Sequence, residues 1–179
     1  AGRLARLLLS LAPRGGGLVG LTVEPDLPLV VGILGILEAG SGFVPLAPDA
    51  PAGRLERMIA DCGLRVLTTD RRHLAAMAEI ARRCPTVTHL ICLETCESQA
   101  AGAPAAATGN EIAGDGIAYV IFTSGSTGVP KGVPISHENL APLLLWSRDA
   151  FGFGEHTRVL QTLSHTFDFG VFEILTTLL

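Results

Sequence analysis

YVIFTSGSTGVPKGVPISHENL, Tyr119 to Leu140, passes from an apolar run through a loop of glycine, serine and threonine to a lysine. That lysine, Lys131, is the only one in the chain; every other basic residue is arginine. Three donor types meet here. Glycines let backbone N–H groups approach an anion, hydroxyls add further donors, and lysine is a compact, mobile point charge. Thr123, Ser124, Gly125, Ser126, Thr127, Gly128 and Lys131 supply all three between a predicted strand, IAYVIFTSG, and a predicted helix, HENLAPLLLWSRDAF. A strand-to-helix junction is where α/β sheets bind phosphates. A flexible turn is the competing reading. Two hydroxyl pairs, two spaced glycines, Pro130 and the lone lysine weigh against it.

Outward from this loop the chain alternates. GLVGLTVE (Gly17–Glu24) reads as a buried strand, and LPLVVGILGILEAG (Leu27–Gly40) as a helix begun near Pro28 and ended by Gly40. FVPLAP is a short extended segment. PAGRLERMIADCG (Pro51–Gly63) is an amphipathic helix with Pro51 near its start and Gly63 as its stop. RVLTTD, HLAAMAEIARRC and HLICLE follow as strand, helix and strand, and TRVLQTL reads as a late strand before a helix beginning in FDFGVFEILTTLL. The expected fold class is therefore α/β, with mostly parallel sheets covered by helices on both faces. ESQAAGAPAAATGNEIAGDG (97–116) is small, polar and proline-bearing, and reads as a surface loop and not a domain boundary. RLARLLLSLA opens without a helix N-cap and the last apolar helix has no stop, so both ends read as cut.

Three better-known motifs fail. A Walker A loop needs Gly-Lys-Ser/Thr, but Lys131 stands between Pro130 and Gly132. The hydrolase elbow needs a glycine two residues before its serine, and neither Ser124 nor Ser126 has one. GGGLVG (Gly15–Gly20) formally satisfies G-x-G-x-x-G but precedes its strand, so it reads as a turn. Bulk properties narrow the field further. A net charge of −4 with scattered acids and arginines leaves no basic face for nucleic acid. The longest apolar run, Leu27 to Leu37, is broken by Pro28 and two glycines, well short of the ~20 residues a membrane span needs. No signal peptide is recognisable, and a cytoplasmic location is expected. Cys62, Cys84, Cys92 and Cys96 lack zinc-knuckle spacing, even with His89 among them, and read as reduced, packed cysteines.

Tyr119–Leu140 resembles the signature phosphate loop of the adenylate-forming superfamily: acyl-CoA synthetases, luciferases and the adenylation domains of nonribosomal peptide synthetases. Two other segments agree in order. LEAGSGFVPLAPDAPAGRLERMIAD (Leu37–Asp61) is similar to an early motif of the peptide-synthetase branch, with Ala47 where aspartate is usual. FDFGVFEI (Phe167–Ile174) resembles that branch's F-D-x-S-x-x-E, with Gly170 in place of serine.

The resemblance implies that the loop from Thr123 to Gly128, with Lys131, cradles the β- and γ-phosphates of ATP while a carboxylate attacks the α-phosphorus. The products would be an acyl-adenylate and pyrophosphate. It implies that Asp168 pairs with a substrate α-ammonium; a buried aspartate among Phe167, Phe169, Val171 and Phe172 would be costly without a cation. The residues alone equally fit a helix N-cap at Asp168. Phe167 matches the aromatic beside the substrate carboxylate, and Phe169 and Phe172 match pocket positions in a pattern that resembles threonine-activating domains. His165 reads as packing. The expected partners are an amino acid, a carrier domain with its phosphopantetheine, and other synthetase domains. Mg2+ would assist, through a carboxylate beyond Leu179. The catalytic lysine would also lie beyond Leu179, so residues 1–179 read as a partial adenylation domain, inactive in isolation. An acyl-CoA or aryl-acid ligase shares the phosphate loop, and a non-catalytic nucleotide-binding or interaction module is the reading from another class.

Overall fold

The computed structural model describes residues 1–11, 17–96, 114–123 and 130–178. Most of the expected surface loop, 97–113, lies outside the described residues. Helix α1 (Gly2–Leu11) leads into β1 (Leu18–Thr22), α2 (Leu27–Glu38), β2 (Gly42–Pro45), α3 (Ala52–Asp61), β3 (Val66–Thr69), α4 (Leu74–Arg83) and β4 (His89–Cys92). A short 3-10 turn, Leu93–Thr95, follows. Then come β5 (Ile117–Thr123), β6 (Lys131–Ser136), α5 (His137–Phe151) and α6 (Asp168–Thr177). Six strands form one sheet in the order β4-β3-β1-β2-β5-β6, parallel except for β5 against β6.

Local signals account for the helix ends. The Asp26 carboxylate accepts from the Leu27 N–H at 2.7 Å, and Pro28 sits in the first turn of α2, where its missing N–H costs nothing. Gly40 (φ +69°) and Gly63 (φ +59°) follow α2 and α3 in the left-handed conformation that ends helices.

Alternation along the strands builds two cores. Phe43, Tyr119 and Ile121 face one side with Val19 and Leu21, and pack with α1, α2, α5 and α6 through Leu4, Ile33, Leu140 and Val171. Val44 and Val120 face the other, against Leu55 and Ile59 of α3 and Met77 and Ile80 of α4. The parallel sheet is thus covered on both faces, as strands of this apolar composition require.

Two sequence expectations are corrected. The residues between the glycine loop and the helix, read only as part of the loop and its exit, form a strand: Lys131–Ser136 pairs antiparallel with β5, from Thr123↔Lys131 to Ile117↔Ser136, and the helix starts at His137 as expected. Gly132 and Pro134 disguise it, but β6 is the edge of the sheet, where a proline forfeits no ladder bond. TRVLQTL is not a strand. The Thr162 and Leu163 N–H groups are taken instead by the Glu173 carboxylate of α6, at 3.0 and 3.1 Å.

The cysteines are unbridged; Cys84, Cys92 and Cys96 are buried, in keeping with packed thiols. Burial pushes Cys62 up to about 11, Asp61 adding to it. No described helix is long and apolar enough to cross a membrane.

Candidate functional site

Parallel sheets leave a crevice beyond the C-terminal ends of their strands, deepest where successive connections diverge. Here β1 leads outward to β2 while β3, its other neighbour, leads the opposite way to β4. A cavity of about 660 Å3 opens at this point, walled by Glu24 after β1, Ala47 and Asp49 after β2, His73 after β3, and residues 160–165. A second, of about 310 Å3, lies alongside between Ala47, Arg54, Phe122 and Phe167.

The second cavity adjoins the predicted phosphate loop, since Phe122 immediately precedes Thr123. Thr123 and Lys131 face one another as the last pair of the β5–β6 ladder, and the Thr123 hydroxyl lies 3.5 Å from the Lys131 carbonyl oxygen. Both are exposed. The loop is therefore closed at its base by a hairpin, and no described helix starts directly from it. Ser124, Gly125, Ser126, Thr127 and Gly128 lie outside the described residues.

The second predicted group is held by α6. Phe167 is its N-cap and Asp168 its first residue. The burial expected for Asp168 does not occur: the residue is exposed, and Phe167 and Phe169 are 64% and 69% exposed. Apolar neighbours in sequence do not enclose it, because on a helix they radiate to different sides and only Val171 and Gly170 turn fully inward. Nor does its side chain cap the helix. Its Oδ1 accepts instead from the Tyr119 hydroxyl at 2.6 Å. A carboxylate at a helix N-terminus is also favoured by the helix dipole. Phe169 and Phe172 meet edge to face, with centroids 6.2 Å apart, and Phe172 is half-buried against the core. The structure thus groups Phe167, Asp168, Phe169 and Phe172 on one helix end beside β5, with Thr123 and Lys131 at the far end of that strand.

His165 is 4% exposed and its Nε2 has no hydrogen-bond partner among the described residues. Burial pushes its imidazole below the ordinary range, Glu24 opposing.

Other residues, to which the motif readings assign no role, enter the site. Tyr119 is the chain's only tyrosine, set in a largely apolar strand, which was its one signal. Glu173 closes the FDFGVFE motif, and its carboxylate ties residues 162–163 to α6, the Thr162 hydroxyl included at 2.8 Å. Asp70 binds the exits of β1 and β3 together. Its Oδ2 accepts from the Glu24 N–H at 3.1 Å, and its Oδ1 from the His73 N–H at 2.9 Å and ring Nδ1 at 2.7 Å.

That network carries a pH prediction. Burial alone would raise the Asp70 carboxyl, but the Glu24 and His73 hydrogen bonds outweigh it and hold it below its ordinary value. A depressed folded value means stability present above the unfolded value of ~3.9 and lost as pH falls through the folded one. Asp70→Asn is expected to remove about 1–3 kcal/mol at neutral pH and to flatten the acid limb below pH ~4. Urea midpoints measured from pH 7 downward test this; parallel limbs for the two proteins would refute it.

The AMP-binding enzyme family matches residues 1–179, the whole chain. The chain belongs to the AMP-binding enzyme family. Its relatives within that family include tyrocidine synthase 3 of Brevibacillus parabrevis, 35% identical over 94% of this chain and 2% of the synthase. Indigoidine synthase of Streptomyces lavendulae is 36% identical over 96% of the chain and 13% of its own length. Two solved AMP-binding folds superpose closely. One is the nonribosomal peptide synthetase FmoA3 bound to α-methyl-L-serine-AMP, with TM-score 0.83 and 27% identity, covering 99% of this chain and 19% of that one. The other is ATP-bound MatB of Rhodopseudomonas palustris, with TM-score 0.82 and 26% identity, covering 98% and 36%. The chain thus spans only a small part of each.

Proposed function

We propose that this chain is part of the large N-terminal subdomain of an adenylation domain in nonribosomal peptide synthesis. The enzyme activates an amino acid: a carboxylate oxygen bonds to the α-phosphorus of ATP, the bond to the β-phosphate breaks, and pyrophosphate leaves. The acyl group then passes from the adenylate to the phosphopantetheine thiol of a carrier domain, a thioester forming as the bond to the phosphate breaks and AMP leaves. Thr123, Ser124, Gly125, Ser126, Thr127, Gly128 and Lys131 hold the departing phosphates, and Phe167, Asp168, Phe169 and Phe172 meet the amino acid. The protein works in the cytoplasm.

The observation that carries this reading is the Thr123↔Lys131 pairing. It starts β6 on the chain's single lysine, opposite Thr123 and next to Phe122, which lines the second cavity, and so supports a phosphate site there. Neutralising charge on a leaving pyrophosphate demands positioned donors and cations more than covalent chemistry. Among the described residues no three metal-ligating side chains converge, so no step is assigned to a metal held by them. FmoA3's α-methyl-L-serine-AMP makes β-hydroxy amino acids, threonine among them, the first substrates to try. The likeness to ATP-bound MatB, as close in fold, supports ATP use without choosing the acid; an acyl-CoA or aryl-acid ligase, which shares the phosphate loop, is the second reading. Asp168 separates the two, since a plain acid offers no ammonium to it.

Lys131→Ala in the complete adenylating protein is expected to lower kcat/KM for ATP about 10- to 100-fold, a charge-assisted phosphate contact, without changing the ranking of amino acids. Lys131→Arg should recover only part, its planar fork being bulkier and less mobile. Amino-acid-dependent exchange of labelled pyrophosphate into ATP measures both. Unchanged ATP kinetics in the alanine variant would remove Lys131 from the phosphate site.

A further inference from the structure

The hydrogen bond between Tyr119 and Asp168 joins two elements that the motifs treat separately: the strand feeding the phosphate loop and the helix carrying the Asp168 carboxylate. We propose that Tyr119 is a positioning residue for amino-acid recognition, its hydroxyl fixing Oδ1 of Asp168 so that Oδ2 is presented to the substrate ammonium. This rests on the reading of Asp168 given above.

The argument begins with rigidity. Tyr119 is 3% exposed and central in β5, paired with Phe43 of β2 on one side and Ile135 of β6 on the other. Its ring packs against that of the fully buried Phe43, with centroids 5.5 Å apart. The phenol oxygen is thus fixed by the sheet. Asp168, by contrast, is exposed at the first position of α6, where nothing encloses its carboxylate. An exposed carboxylate turns freely about its last torsion, and a ligand that needs one orientation must halt that motion on binding. A short bond from a fixed hydroxyl halts it beforehand. Among the described residues only one oxygen is used, which leaves the other with its lone pairs for a cation. The donor is also dependable: burial, and then the bond to Asp168 and its charge, push the phenol above its ordinary value. It therefore stays protonated throughout the physiological range.

A core tyrosine taking the nearest acceptor would give the same distance, so the test needs a readout that packing does not move. In the complete adenylating protein, Tyr119→Phe keeps the ring. It should raise KM for the amino acid about 5- to 10-fold, as loss of one charge-assisted hydrogen bond does. KM for ATP, kcat and the kinetics of the des-amino acid should stay within about twofold, since the contact serves only the ammonium. An unchanged amino-acid KM, or a rise shared with ATP, overturns the proposal. Asp168→Asn beside it separates the two ideas. If Asp168→Asn discriminates against the ammonium and Tyr119→Phe does not, the positioning role falls and the reading of Asp168 stands. If Asp168→Asn strikes both substrates alike, the reading falls and takes the positioning role with it. Should Tyr119→Phe not fold, the chain's single tyrosine supplies a second measurement. Phenolate absorbance in the 179-residue chain then reports Tyr119 alone. The exposed substitution Asp168→Asn should bring its ionisation to lower pH, and an unmoved midpoint means that the bond, and the proposal, are wrong.

Discussion

Asp168→Asn in the complete adenylating protein is expected to cut kcat/KM for the amino acid on the order of 100-fold, while the matching des-amino acid loses no more than a few-fold. The asymmetry follows from which contact disappears. Asparagine keeps the shape, and its carbonyl oxygen still accepts from the Tyr119 hydroxyl, so α6 and β5 remain joined. What goes is the negative charge opposite the ammonium. A hydrogen bond between charged groups contributes about 1.5–3 kcal/mol, and more when the site closes over it. The exposure of Asp168 matters to the size: with no buried, unpaired carboxylate before substrate arrives, relief of desolvation adds little. The des-amino acid should therefore gain nothing from the change. Pyrophosphate exchange over a panel of amino acids and their des-amino counterparts decides it. Equal losses would make Asp168 a support for α6 and would move the protein toward acyl ligation.

The helix stops at Gly40 and Gly63, the alternation that sorts Phe43 from Val44, and the order of strands and helices up to β5 were all legible, because each rests on local periodicity and backbone preference. Misreadings cluster where long-range contacts decide. Gly132 and Pro134 look like loop residues, and only the sheet edge turns them into a strand. Val159 and Leu160 look like a strand, yet the N–H groups of Thr162 and Leu163 belong to the Glu173 carboxylate, eleven and ten residues on. Burial of Asp168 was inferred from its neighbours in sequence, whereas a helix places those neighbours on separate faces. Tyr119 and Asp168 stand 49 residues apart, and no spacing rule links a strand tyrosine to a helix-starting aspartate at that distance. Asp70 was hidden for the same reason. Its partners are mainly backbone groups, which no residue type announces.

Gly170→Ala is expected to lower stability by about 3 kcal/mol or more, combining overpacking with lost hydrogen bonds. A methyl group there would lie 2.1 Å from the Ser164 carbonyl oxygen and 2.6 Å from its carbon, with the Leu163 oxygen at 3.0 Å. All three are backbone atoms, so no side chain can swing aside. Either α6 or the 163–164 segment must shift to make room, and both are tied. The Glu173 carboxylate holds Thr162 and Leu163, the Phe167 N–H donates to the crowded Ser164 oxygen at 2.9 Å, and His165 is packed beneath. This is why glycine stands where the peptide-synthetase motif has serine: here the preceding segment lies against the helix backbone, closer than a serine would allow. Loosening one tie should soften the clash. In a double-mutant cycle, Glu173→Gln should therefore reduce the cost of Gly170→Ala, because the released segment can withdraw. Phe167 and residues 160–165 line the two cavities, so the same displacement should reshape the crevice before it unfolds the protein. Urea midpoints for the four proteins give the coupling. Wild-type stability in Gly170→Ala, or strict additivity with Glu173→Gln, would show that the segment is not pinned against α6.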